Sequence, residues 1–418
     1  MTNEMPSDWK RRFFTIWTGQ ALSLVGSALV QFALVWWLTV QTGSASTLAV
    51  ATLMALLPQI VLGPFAGALV DRWNRRLILI VADSAIALLT ALLVVLFATG
   101  RVAVWHIYLV MFLRSLGGAF HHPAMAASTS LMVPDEHLAR VAGMNQMLQG
   151  VITVLAPPLG ALLLETMATE SVLAIDVVTA LFAVLPLLWI AIPQPPRQAA
   201  AAAGGSTYWQ DLRAGFAYVV RWPGLLAVIL LAMMLNFWLS PSSSLMPLVV
   251  TKVFGKGAVE LGWTEATLGI GTILGGLILS VWGGFKRRIV TSFCGIIGIG
   301  LGVILFGAAP AGQFWLLLAA GFLLGLSSVF ANGPLHAIFQ SAIAPEVQGR
   351  VFSLIGAGSM AMMPLSLLIA GSLADRLGVR FWYLLGGTVT IAVTIAASFV
   401  PAIMNVEQNQ GRSNAAPV

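Results

Sequence analysis

Arg114, Asp83 and Asp176 lie within stretches of sequence otherwise built from Leu, Val, Ala, Ile and Phe. An ionised side chain at the middle of a membrane helix costs about 2.5–3.5 kcal/mol, so each of the three needs a partner or a task. Arg114 could balance an acid that carries a proton or help to bind an anion; it could also be half of a structural ion pair between helices. Asp83 and Asp176 are the acidic counterparts. Desolvation would let either take up and release a proton, and either could instead stay ionised in a hydrogen-bonded site.

Polar side chains recur around these three at helical spacing. Gln20, Ser23, Ser27 and Gln31 form one stripe, and Asn145, Gln149 and Thr153 a second. Asn236, Ser240 and Ser244 form a third, and Asn332, His336 and Gln340 a fourth. Hydrocarbon cannot satisfy such groups, so the stripes must face protein or a watery cavity. The alternative to cavity lining is interhelical hydrogen bonding, at about 0.6 kcal/mol apiece. His121 and His122 are neighbours, about 100° apart on a helix. They cannot both face one cavity squarely, which argues against a two-histidine metal site; one of them could line the cavity or accept a proton, and the alternative is a packed neutral histidine. Cys294 stands alone, so disulfide frameworks and CxxC chemistry are excluded, and a packing role is expected. Gly269-Ile-Gly271 and Gly298-Ile-Gly300-Leu-Gly302 read as close helix packing rather than nucleotide loops. No GxxxxGK[ST], HExxH, paired catalytic aspartates or serine-nucleophile motif occurs, which disfavours an ATP-driven pump or an intramembrane enzyme on this chain. No metal or cofactor is expected.

The elements that must position these groups follow from composition. The chain has 418 residues, 59% hydrophobic and only 9% charged, with a mean hydropathy of +0.93. Soluble domains carry about 25% charged residues, so a soluble enzyme or a nucleic-acid binder is disfavoured despite the net charge of +6. About 20 apolar residues cross a bilayer. Twelve such stretches are expected near 13–40, 47–70, 77–99, 105–131, 141–164, 171–192, 223–250, 262–284, 289–308, 314–338, 349–373 and 381–403. With the N-terminus cytoplasmic, 15 of the 21 Lys and Arg residues fall on inner segments, five on outer loops and Arg114 inside a span. That asymmetry places both termini in the cytoplasm.

The domain organisation expected is a six-helix bundle over 1–192, a linker over 193–222 and a second six-helix bundle over 223–418. The linker runs through Pro193, Pro195, Pro196 and an alanine tract. It ends in an amphipathic interfacial helix carrying Trp209, Leu212, Phe216, Val219 and Val220 on one face. The bundles are related by an offset of 211 residues, which pairs Pro123 with Pro334, Ser130 with Ser341, Pro134 with Pro345, Gly160 with Gly371, and Arg75-Arg76 with Lys286-Arg287. An offset of six spans preserves orientation, so these are parallel repeats. Two like bundles can rock about a central cavity.

Short motifs extend this reading to a family. Gly67-Ala-Leu-Val-Asp71-Arg72-Trp-Asn-Arg75-Arg76 resembles the signature loop of the major facilitator superfamily, with Asn74 where a turn glycine is expected. The resemblance implies that Asp71 locks the cytoplasmic gate, supported by Arg72 and Arg76. The second copy, Gly283-Gly284-Phe-Lys286-Arg287-Arg288, lacks the Asp and does not inherit that role. Leu113-Arg114-Ser-Leu-Gly117-Gly-Ala119 resembles the span-four motif, whose Arg is linked to proton coupling. Ala156-Pro157-Pro158-Leu159-Gly160-Ala161 resembles a degenerate form of the antiporter motif. Longer strings, Phe14-Thr-Ile-Trp17-Thr-Gly-Gln20, Ala174-Ile-Asp176-Val and Gly349-Arg350-Val-Phe-Ser353, are similar to the macrolide-efflux (Mef-type) branch.

The resemblance implies an all-α membrane protein of the major facilitator fold. It further implies a proton-driven exporter of macrolide-like or other amphiphilic drugs, multi-pass in the bacterial inner membrane and functional as a monomer. Its partners would be the amphiphile, protons and lipid. Arg114, Asp83 and Asp176 are the proton-coupling candidates, and Gly67, Asp71, Arg72 and Arg76 form the gating motif. Pro157, Pro158 and Gly160 form the antiporter motif. The cavity candidates are Gln20, Ser27, Gln31, His121, Asn145, Gln149, Asn236, Asn332, His336 and Gln340. Siderophore or lipid export, or service as the membrane subunit of a separate ATPase, remain the alternatives.

Overall fold

A computed structural model of the chain describes residues 8–70, 73–194, 216–343 and 348–407, and among these every regular element is helical. Lipid offers backbone groups no hydrogen bonds, so each apolar stretch closes its own ladder as a helix. The first six are α1 Trp9–Thr42, α2 Ala45–Val70, α3 Arg75–Ala98, α4 Val104–Met132, α5 Asp135–Thr166 and α6 Thr169–Trp189. Then come α7 Pro223–Leu248, α8 Ala258–Trp282, α9 Arg288–Ala308, α10 Phe314–Ala342, α11 Gln348–Ala361, α12 Met363–Leu377 and α13 Val379–Ser398. Among the described residues eleven helical stretches are long and apolar enough to cross a membrane, with α11 and α12 counted as one. The twelfth is α4, whose apolar run is interrupted by His106, Arg114, His121 and His122.

The stretch expected as one span over 349–373 is therefore two helices. Pro364 at the start of α12 lacks an amide hydrogen and crowds the preceding turn, so the ladder breaks at Met362. The 211-residue repeat is visible in α4 and α10, each 29 residues long with an internal proline, Pro123 and Pro334.

The chain divides into two compact units, residues 1–41 with 50–204, and 42–49 with 205–418. In the first, α3 packs on α4 and α6. Its glycines set close approaches. A Cβ on Gly19 would strike the Phe182 carbonyl oxygen of α6. One on Gly160 would come within 3.0 Å of the Phe32 ring of α1. Pro157 and Pro158 lie inside an unbroken α5, so that motif provides close packing against α1. Asn74 does not adopt the left-handed turn that its place in the loop motif suggests. Its φ is −70°, and its side chain accepts from the Leu77 amide 3.2 Å away, capping α3. Gly67 likewise sits within the last turns of α2 rather than in a turn. Asp71, Arg72 and most of the linker, including Trp209 and Leu212, lie outside the described residues. In the helical stretch 216–221, Val219 is buried while Phe216 and Val220 are exposed.

In the second unit α10 packs on α8 and α9, and α9 on α13. Gly271, Gly275 and Gly325 form the α8–α10 seam, and Gly298 and Gly302 press α9 onto α10. All are positions where a Cβ would meet the facing helix, as the packing reading of the glycine motifs requires. Gly283, at φ 76°, ends α8 in a left-handed cap that leads into the basic turn. Cys294 is exposed on α9, so the packing role expected of it does not hold. It falls on the outward side of the helix, beside buried Phe293.

The segment 42–49 groups with the second unit because Asp375, near the end of α12, caps the first turn of α2. Its Oδ1 accepts from the Ala45 amide at 2.6 Å, and its Oδ2 from the Ser46 amide and the Ser44 hydroxyl, both at 3.0 Å. Helix caps of this type contribute about 1 kcal/mol. Asp375→Ala is expected to lower the thermal unfolding midpoint of the purified protein, with Asp375→Asn intermediate because it keeps one acceptor.

Candidate functional site

Three helices of the first unit present polar pairs two turns apart: Gln20 and Ser27 on α1, Asp83 and Thr90 on α3, His121 and Arg114 on α4. Seven residues span about 10 Å along a helix and return to nearly the same face. Since α4 runs against α1 and α3, the six side chains meet in two layers.

One layer is a neutral-and-acidic triad. Asp83 Oδ2 accepts from Gln20 Nε2 at 2.7 Å. His121 Nε2 lies 2.9 Å from Gln20 Oε1 and 3.2 Å from Asp83 Oδ1. Both neighbours are acceptors, so the ring proton belongs on Nε2. All three residues are buried.

The other layer is an ion pair. Arg114 Nη1 donates to Asp176 Oδ2 at 2.6 Å, and Asp176 is 1% exposed. Thr90 Oγ1 lies 2.8 Å from the same oxygen and also accepts from Arg114. Ser27 Oγ donates to Asp176 Oδ1 at 2.9 Å. The carboxylate is thus held on both oxygens, the condition under which an ionised pair survives burial. Gly26 makes this reach feasible, because a Cβ there would sit 3.0 Å from the Asp176 backbone.

A cavity of about 210 Å³ joins the layers and is lined by Gln20, Ser27, Gln31, Asp83, Arg114 and His121. A second, of about 180 Å³, shares Gln20 and His121 and adds Asn145 and Gln149. Asn145 Oδ1 accepts from the Trp17 indole at 2.8 Å. His121 and His122 both border these cavities, but not equally. His121 is buried and His122 sits at the edge, their rings 5.9 Å apart, so the space wraps partly around α4. In the second unit Asn236, Asn332, His336 and Gln340 line a separate cavity of about 570 Å³, with Phe339 and Phe352 in its wall. Among the described residues no group of three His, Cys, Asp or Glu side chains is placed to hold a metal.

Arg76 donates from Nε and Nη2 to the carbonyls of Leu187 and Leu188, at 2.5 and 2.6 Å, neutralising the negative end of α6. Sequence reasoning missed three groups. Thr90 was signalled by its two-turn spacing from Asp83. Asp375 sits in Gly371-Ser-Leu-Ala-Asp375-Arg376, with the same glycine-to-Asp-Arg spacing as Gly67 to Asp71-Arg72. Glu265 is an acid eight residues into α8.

A twelve-span helical fold with a buried charged network in one bundle defines a membrane protein of the transporter type. The chain matches the family model described as Major Facilitator Superfamily over residues 16–366 and belongs to that superfamily, in its macrolide-efflux branch. It is 35% identical over 404 residues to Macrolide efflux protein A of Streptococcus pyogenes, covering 97% of this chain and 99% of the relative. It is 25% identical to Multidrug efflux pump Tap of Mycolicibacterium fortuitum, over 91% of this chain and 94% of that one. Among solved structures, a point mutant of the nucleoside transporter NupG shares the fold, with a TM-score of 0.71 at 13% identity, covering 91% of this chain and 99% of that one.

Proposed function

We propose that this protein exports macrolide-like and other amphiphilic drugs by proton-coupled antiport, with Asp83 as the proton carrier and Arg114–Asp176 as a fixed ion pair. The observation that carries the assignment is the difference between the two layers. Asp176 is bound to a guanidinium that stays charged at any physiological pH, so a proton gains little there. Asp83 is bound to an amide and an imidazole, so the triad can accept one proton and be left without net charge or return it. A buried site that alternates between one and no excess negative charge favours different surroundings in its two states, which is what coupling requires.

Relatives named for macrolide efflux and multidrug efflux support the substrate class. The cavity of the second unit suits an amphiphile, with aromatic and Met walls and four polar side chains in them. The Lys and Arg distribution supports an inner-membrane orientation with both termini cytoplasmic, in which protons move inward as drug moves outward. One charge crossing 100 mV supplies about 2.3 kcal/mol. Purified protein alone, in proteoliposomes, is expected to accumulate a macrolide against its gradient only while a proton gradient is imposed. Undiminished pumping after a protonophore is added would overturn the coupling.

A further inference from the structure

The cavity of the second unit has a wall without fixed charge. Among the described residues that line it there is no Asp, Glu, Lys or Arg, and His336 is its one titratable group. Its wall helix α7 carries no ionisable residue along its whole length, and α10 carries His336 alone. A charge on a bound molecule would meet no counter-ion in this wall, so recognition there falls to hydrogen bonds. Two asparagines determine their direction.

Asn236 Nδ2 donates to the Ala232 carbonyl at 2.9 Å, one turn earlier on α7. Asn332 Nδ2 donates to the Ser328 carbonyl at 2.9 Å, one turn earlier on α10, and lies 3.5 Å from the Ser328 hydroxyl. A carbonyl can only accept, so the nitrogen of each amide is held against its own helix. The free polar atom of each is therefore the oxygen. Among the described residues neither Oδ1 accepts a hydrogen bond, and both side chains belong to the cavity wall. The wall thus offers two acceptors, one from α7 and one from α10. Two acceptors on different helices orient a bound molecule as well as hold it. Phe339, Phe352 and Met360 supply apolar wall, and about 570 Å³ is room for one drug-sized molecule.

Water can satisfy both oxygens while the cavity is open. A bulky molecule that displaces this water must bring donors of its own, because an acceptor buried unpaired costs more than a made hydrogen bond gains. Hydroxyl groups are the donors that fit. An ammonium also donates, but its charge would be buried in a wall with no carboxylate.

We propose that Asn236 and Asn332 form an acceptor pair that reads hydroxyl groups on one edge of the bound amphiphile. This rests on the export reading and narrows its substrate class to molecules with a neutral, polyhydroxylated edge. The apolar face lies on the aromatic and Met wall, and the hydroxylated edge lies on the two amide oxygens. A basic group elsewhere on the same molecule is not read by this wall. A molecule of similar size whose hydroxyls are capped or missing is discriminated against, since it leaves the acceptors unpaired.

Erythromycin, which carries several free hydroxyls, tests this together with its deoxy and O-methyl derivatives. In equilibrium binding to the purified full chain, loss of a hydroxyl that is read is expected to weaken affinity about tenfold, as loss of one hydrogen bond implies. Asn236→Leu and Asn332→Leu are each expected to bind erythromycin about tenfold more weakly. They should bind the derivative lacking the matching hydroxyl as the wild type does, so that the preference disappears. Unchanged thermal midpoints and retained binding of that derivative show that the cavity is intact, and the compound series on the wild type is a test that needs no variant. Equal wild-type affinity for erythromycin and all of its derivatives overturns the proposal. A preference undiminished in both variants reports exclusion by shape alone and overturns it too. Equal affinities alongside intact proton-driven transport would remove the acceptor pair and leave the export reading standing. Transport indifferent to a proton gradient, with a hydroxyl preference carried by the two asparagines, would remove the antiport reading and leave the acceptor pair standing.

Discussion

Arg114→Ala is expected to abolish active export and to destabilise the protein by about 3–5 kcal/mol, the usual cost of removing one partner from a buried ion pair. The cost arises on the residue left behind. Asp176 is 1% exposed, and the hydroxyls of Ser27 and Thr90 cannot neutralise its charge. The paired replacement separates structure from transport. Arg114→Leu combined with Asp176→Leu removes both charges and fills their space with apolar groups, so the unfolding midpoint is expected to return to within a few degrees of wild type. Export should remain absent. The checks are thermal unfolding of purified protein and drug accumulation in a pump-deficient bacterium. Full export by the double variant would show that the pair only fastens α4 to α6.

Asp83→Asn is expected to lose proton-driven accumulation completely while keeping exchange of substrate down its own gradient. The amide is nearly isosteric with the carboxyl; its oxygen can still accept from Gln20, and its NH2 can donate to His121 Nε2 once the ring proton moves to Nδ1, so packing is retained. What disappears is the group that can gain and lose charge. Entrance counterflow in proteoliposomes reads the retained exchange, and a proton-gradient assay reads the loss. His121→Gln should weaken coupling without abolishing it, because the carboxyl remains and only its neighbour changes. Gradient-driven pumping by Asp83→Asn at the wild-type rate would move the proton site elsewhere.

The two effects differ in kind. Removing Arg114 leaves a buried charge uncompensated, so its first consequence is instability. Asp83 acts through protonation, so its consequence is a transport cycle uncoupled from its driving force. Both depend on α1, which has no ionised side chain in either layer. Gln20 and Ser27 bring α1 to the two carboxylates, and Gly19 and Gly26 give the close approach to α6 that permits it.

Much of this is legible in the sequence alone. Charge scarcity and apolar runs determine the helical spans, since lipid admits few other backbone arrangements. The 211-residue offset determines the repeat, and the motifs around Arg114 and Pro157 point to the superfamily. Arg114, Asp83 and Asp176 stand out because hydrocarbon makes any charge costly. Local chemistry is harder to read. Asn74 replaces a turn glycine but caps α3, because an extended N-cap places its carbonyl on the Leu77 amide. The helical ladder breaks at Met362 because of a proline two residues later, within a run that hydropathy alone treats as continuous.

Pairing was decided only in three dimensions. From the sequence, Arg114 could have partnered either aspartate. Helix order alone does not determine which faces are turned together, and the tertiary structure joins it to Asp176, 62 positions away, leaving Asp83 to His121 and Gln20. Glu265 shows the same limit from the other side. Its residue type and span were present in the sequence, but that it lacks a partner among the described residues is a property of what surrounds it. A sequence specifies which groups must be buried by the cost of leaving them in lipid. Which groups then satisfy one another depends on helix rotation and close packing at glycines, and these are settled by the whole bundle at once.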